Sequence, residues 1–96
     1  MKTLQEIKSI LEKNKQQLYT KYPIESIAIF GSYSRNEQSK LSDIDIMIEF
    51  NGDIGIRFID LADELEDLLG VRVDLVSKNG IKERYYKVIK PELIYV

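Results

Sequence analysis

The sequence predicts an α+β protein of two layers, a mixed sheet of three to four strands with helices packed on one side. Three observations lead there. Two isoleucine-rich runs, 24–30 and 44–50, are bounded by turn residues and read as strands. The connection between them is short and polar, and a site shared by Gly31 and Asp43 is simplest if the two strands are antiparallel neighbours. A full helical pattern separates the second run from a third at 71–76, which predicts a parallel pair joined by a right-handed crossover.

The elements follow in chain order. Thr3-Leu4-Gln5-Glu6 has the capping-box pattern, and Leu4, Ile7, Leu11 and Leu18 recur at helical spacing, so 4–19 is expected to be an amphipathic helix. Pro23 separates it from the first strand, and Gly31-Ser32 ends that strand. Ser32 to Gln38 is expected to form a short helix opening after Gly31. The second strand stops at Asn51-Gly52. Phe58, Leu61, Ala62, Leu65, Leu68 and Leu69 mark a second helix over 55–69, with Gly70 as its left-handed cap. After the third strand, Asn79-Gly80 turns into a last helix over 81–90 that Pro91 stops. Leu93 to Val96 can add an edge strand, and 1–96 reads as a single domain.

Composition excludes several chemistries. With 44% apolar and 31% charged residues, disorder is disfavoured. There is no cysteine and no histidine, which removes thiolate chemistry, Ser-His catalysis and imidazole ligands. A metal site must then use oxygen ligands, favouring magnesium, manganese or calcium. Charge is uneven: residues 1–40 carry +3, residues 41–76 carry −8 and residues 77–96 carry +3. There is neither a basic stripe nor interleaved aromatics, so direct nucleic-acid binding gains no support. With no membrane-length apolar run and no signal-like N-terminus, the expected location is the cytoplasm.

Ser42-Asp43-Ile44-Asp45 opens the second strand. With side chains alternating, Asp43, Asp45, Met47 and Glu49 share one face, opposite Ile44, Ile46, Ile48 and Phe50. In the parallel arrangement Asp74 joins the acidic face. Clustered carboxylates repel and are costly to desolvate, so something positive must offset them, either a metal ion or a basic side chain. Two magnesium ions about 3.5–4 Å apart can clamp an in-line phosphoryl displacement. Asp43 and Asp45 are spaced to bridge them, with Asp74 completing the ion beside the attacking hydroxyl. Gly31 permits close backbone approach to a phosphate, and Ser32 can add a hydrogen bond.

Gly31-Ser32, Arg35, Ser42-Asp43-Ile44-Asp45 and Val73-Asp74-Leu75 together resemble the DNA polymerase β-like nucleotidyltransferase superfamily, and within it the minimal nucleotidyltransferases. The resemblance covers nearly the whole chain. It implies a two-layer nucleotidyltransferase fold and transfer of a nucleoside monophosphate from a triphosphate, with two divalent metals held by Asp43, Asp45 and Asp74. It assigns the nucleotide to Gly31 and Ser32, with Arg35 and Ser42 as further contacts. Arg35 has a second reading, as an ion-pair partner of a strand carboxylate. Asn36 departs from the family, in which many members have glycine after the arginine. Similar proteins are often antitoxins of HEPN-type ribonuclease toxins, and some adenylylate a toxin tyrosine. The resemblance therefore implies an ATP-using protein adenylyltransferase in a hetero-oligomer with its toxin. Two other classes remain: a non-catalytic nucleotide-binding antitoxin, and a phosphoacceptor receiver-like domain. The latter is disfavoured because no suitably placed lysine follows Asp74.

Overall fold

The computed structural model describes residues 2–96. In chain order these form α1 (Leu4–Lys21), β1 (Ile24–Phe30), β2 (Ile44–Phe50), α2 (Arg57–Leu69), β3 (Val73–Ser77), α3 (Glu83–Ile89) and β4 (Ile94–Tyr95). The sheet order is β3-β2-β1-β4. As the sequence predicts, β1 and β2 are antiparallel and β2 and β3 are parallel. The edge strand β4 pairs antiparallel with β1 on the far side.

Each helix end has a local cause. Thr3 Oγ1 accepts from the Glu6 amide at 3.1 Å, and Glu6 Oε1 accepts from the Thr3 amide at 2.9 Å, so the capping box is complete. Gly70 ends α2 at φ 67, a conformation open to glycine without Cβ strain. Helices α1 and α2 are joined through Glu64, which accepts from Lys21 Nζ and from the Tyr22 hydroxyl, each at 2.9 Å.

The alternation along β2 divides the core. Ile44, Ile46, Ile48 and Phe50 pack with Ile27 and Ile29 against Ile7, Leu11 and Leu18 of α1 and Leu61, Leu65 and Leu69 of α2. Each such side chain, fully buried, contributes about 1.5–3 kcal/mol. The expectation of helices on one side holds for α1 and α2. On the opposite face, Phe30 and Met47 pack with Ile89 of α3, with Tyr86, Ile81 and Leu93 alongside. The reason is local. Phe30, Met47 and Val76 are apolar positions on the face that also carries Asp45, Asp74 and Glu49, and α3 covers the apolar part of it.

Helix bounds shift by one or two residues, α1 ending at Lys21, α2 starting at Arg57 and α3 spanning Glu83–Ile89, and two other details differ from the sequence reading. Residues 71–72 precede β3, which runs from Val73 to Ser77. The expected helix at 32–38 is a run of turns. Asn36, at φ 59, is the cause. The Glu37 amide donates to Ser32 O at 2.8 Å and the Asn36 amide to Tyr33 O at 3.2 Å, which is a Schellman closure with Asn36 at the left-handed position. The chain makes one turn and stops.

Candidate active site

The ends of β1, β2 and β3 bring the predicted residues to one corner of the sheet. Phe30 is opposite Asp45, and Asp45 is in register with Asp74 on the parallel strand. Gly31 leaves β1 at φ 77. A Cβ built there would overlap the Asp45 carboxylate, lying 2.9 Å from Asp45 Cγ. Glycine is therefore required twice over, by backbone conformation and by the carboxylate packed against it.

Asp45 is half-buried and its carboxyl is pushed up to about 6. Desolvation is the largest cause. Repulsion from Asp74, a hydrogen bond with Asp74 and repulsion from Asp43 add to it, while Arg35 opposes. Asp43 turns outward, 3.8 Å from Arg72 Nε. Among the described residues, no three acidic side chains are grouped closely enough to hold an ion as they stand. The expected convergence is thus realised by Asp45 and Asp74, not by Asp43. Like charges repel, and a guanidinium stands within reach of Asp43. The donor set still suits a hard divalent cation: oxygen atoms only, one half-buried, with a net charge that ligation would relieve.

A pocket of about 410 Å³ opens beside this corner, with Gly31, Ser32, Arg35, Ser42, Asp43 and Asp45 among its walls. Asp74 touches Asp45 but is not on the wall. Ser42 also supports the turn before β2, where its Oγ accepts from the Ser39 amide at 2.9 Å. Arg35 pairs with Glu37 (Nε, 2.8 Å) and Glu92 (Nη1, 3.0 Å), not with a strand carboxylate. These bonds, that to Glu37 first, raise the guanidinium pKa above its ordinary value. Of the two adjacent tyrosines, Tyr86 packs inward and Tyr85 lies exposed on the pocket wall. Glu49, further along the acidic face, pairs with Lys78 at 3.6 Å.

Two participants had no signal in the sequence. Arg72 is one, and its contact depends on the turn before β3. Glu92 is the other. The β4 register pairs Ile29 with Ile94, and two residues further on it sets Glu92 opposite Gly31.

Comparison with known proteins is consistent with this geometry. A family described as a nucleotidyltransferase domain matches residues 7–96. A Methanocaldococcus jannaschii protein provisionally named a protein adenylyltransferase is 55% identical over 98 residues, spanning all of both chains. The protein adenylyltransferase MntA of Thermococcus cleftensis is 42% identical over 97 residues, spanning all of this chain and 98% of its own. Among solved structures, one provisionally described as a minimal nucleotidyltransferase superposes with a TM-score of 0.82 at 28% identity, covering 99% of this chain and 97% of that one. A toxin–antitoxin structure with AMP-PNP superposes at 0.73 and 26% identity, covering 88% of this chain and 70% of that one. By family match, identity and fold, the chain belongs to the nucleotidyltransferase domain family and is a minimal nucleotidyltransferase.

Proposed function

We propose that this protein transfers AMP from ATP to a tyrosine hydroxyl of a HEPN-type ribonuclease toxin and so acts as its antitoxin, as a single cytoplasmic domain in a hetero-oligomer. The observation that carries the reading is the half-buried Asp45, in register with Asp74 and packed against a glycine that admits no Cβ. A domain keeps such an unfavourable group where a cation is to be bound. The names of the relatives support the reaction, and the AMP-PNP complex of a toxin–antitoxin neighbour supports nucleotide and partner.

Asp43, Asp45 and Asp74 would hold two magnesium or manganese ions. When bound, these supply charge neutralisation at the phosphates and a lowered pKa for the attacking hydroxyl. The chain's own groups do the rest. The Gly31-Ser32 turn, with Arg35 and Ser42, binds and orients the triphosphate. Asp74, at the sheet edge, takes the proton of the acceptor hydroxyl. The acceptor oxygen forms its bond to the α-phosphorus as the bond to the bridging oxygen breaks, and pyrophosphate leaves. No histidine is needed.

Intact mass spectrometry of the toxin after incubation with this protein, magnesium and ATP tests the reading. One or more added AMP groups are expected, and none with Asp43→Asn/Asp45→Asn. One observation favours a second reading, neutralisation by binding alone: Tyr85 and Val88 lie exposed at the pocket wall, 48% and 66%. Under it the double mutant would still silence the toxin.

A further inference from the structure

Glu92 Oε1 accepts two hydrogen bonds, one from the Gly31 amide at 3.0 Å and one from Arg35 Nη1 at 3.0 Å. Both donors belong to the set that the proposed function gives to the triphosphate, and Glu92 itself lines the same pocket. We infer that Glu92 is a built-in stand-in for a phosphate oxygen, and that the triphosphate binds by displacing it. This inference rests on the nucleotide reading of the pocket and adds to it a residue that sets affinity by competing with the substrate.

Hydrogen-bond capacity supplies the first argument. A backbone amide has one hydrogen, and Gly31 has committed its own to Glu92. The guanidinium has one edge on Glu37 and its Nη1 on Glu92, so both of its engaged groups are neutralised by carboxylates. The triphosphate cannot use the Gly31 amide while Glu92 holds it, nor the Arg35 Nη1 hydrogen that is directed at Glu92. Charge supplies the second. A carboxylate left about 3–5 Å from a polyphosphate repels it, so a bound state that keeps Glu92 in place is disfavoured. Mobility supplies the third. Glu92 ends a single 3₁₀ turn, Lys90–Glu92, leading into the two-residue strand β4, and its side chain is 26% exposed. It can turn outward without unmaking the core.

The stand-in also explains how the empty corner folds. A left-handed glycine amide and a half-exposed arginine are given an anion when no ligand is there. The occupant imitates the ligand in charge and in hydrogen-bond acceptance, as a carboxylate can for a phosphate oxygen.

Binding of magnesium with AMP-PNP, measured by titration calorimetry at pH 8 and low salt, provides the test. In Glu92→Gln the amide oxygen can still accept from Gly31 while the charge is gone. The variant is expected to bind about five-fold tighter, the size of one unscreened unit charge at this separation, with the gain shrinking as salt rises. Equal or weaker binding by the variant, with wild type binding normally, would make Glu92 a fixed support and overturn the inference alone. Absence of binding to either protein would overturn it together with the nucleotide reading. A second measurement needs no mutation. In wild type the Glu92 carboxyl carbon resonance should move when magnesium and AMP-PNP are added, and an unmoved resonance at saturation would equally overturn it.

Discussion

Replacing Asp45 with asparagine should make the ligand-free protein more stable at alkaline pH while abolishing transfer. The magnitude follows from the raised pKa. A move from 3.8 to about 6 is equivalent to about 3 kcal/mol between the two protonation states. Asp45 is only half-buried, and screening by water cuts this to about 1–1.5 kcal/mol. The sign is fixed by linkage. The folded state holds the proton more tightly than the unfolded chain, so the contribution is fully present below pH 3.8 and is lost as pH rises through about 6. At pH 8 wild type carries the whole penalty and the neutral amide carries none. For a domain of this size the difference is about 5–10 °C in Tm. Thermal melts of both proteins without magnesium, at pH 8 and again near pH 4, read it directly. The other carboxylates titrate in both proteins, so the difference isolates Asp45 and its coupling to Asp74. Equal Tm values at pH 8 would refute the reasoning. So would an advantage of the same size near pH 4, since the effect would then owe nothing to ionisation.

Saturating magnesium with nucleotide should reverse that order. Wild type is expected to gain about 2.7 kcal/mol at a hundred times Kd, visible as a raised Tm, while Asp43→Asn/Asp45→Asn stays where it was. Gly31→Ala should cost about 1–2 kcal/mol in urea unfolding for its left-handed backbone, and should lose transfer activity more completely because the new methyl evicts the Asp45 carboxylate. Asn36→Gly is expected to be neutral or slightly stabilising, and Asn36→Ala to lose about 1 kcal/mol, since the Schellman closure needs φ near 59 at that position. Asn79→Ala should lose about 1–2 kcal/mol by the same assay. Its side chain accepts from the Phe50 amide at 3.0 Å and donates to Phe50 O at 3.3 Å, closing the end of β2.

Much of the fold was legible because it depends on periodicity. The isoleucines of β1 and β2 and the leucine stripe of α2 each name their own burial, and a helix between β2 and β3 leaves the parallel crossover as the simple connection. Asp45 and Asp74 were legible for the same reason, since strand alternation and parallel pairing put them side by side. The short helix expected after Gly31 does not form, although nothing in Ser32–Gln38 forbids a helix. Asn36 stops it by adopting a conformation that asparagine tolerates and does not demand. Asp43's turn toward Arg72 and Glu92's reach to Gly31 are products of tertiary register, on which local pattern is silent.

The charges at the ligand-free corner are almost all met from within. Asp43 has Arg72, Arg35 has Glu37 and Glu92, the Gly31 amide has Glu92, and Asp45, beside Asp74, keeps its proton until about pH 6. Above that pH the uncompensated charge is the Asp45–Asp74 pair. That is the one place where a cation gains most by arriving. On the proposed function the rest would reorganise in a consistent direction: Asp43 would be drawn from Arg72 toward the ion, and the triphosphate that accompanies it would take the donors Glu92 holds. Substitutions at Arg72 and Glu92 should therefore act oppositely to those at Asp43 and Asp45. Arg72→Gln frees Asp43 for the ion and should strengthen magnesium-dependent nucleotide binding by about two- to five-fold, the worth of an exposed ion pair. Weaker binding by Arg72→Gln would show instead that Arg72 contacts the ligand, and that the pair with Asp43 is no internal substitute.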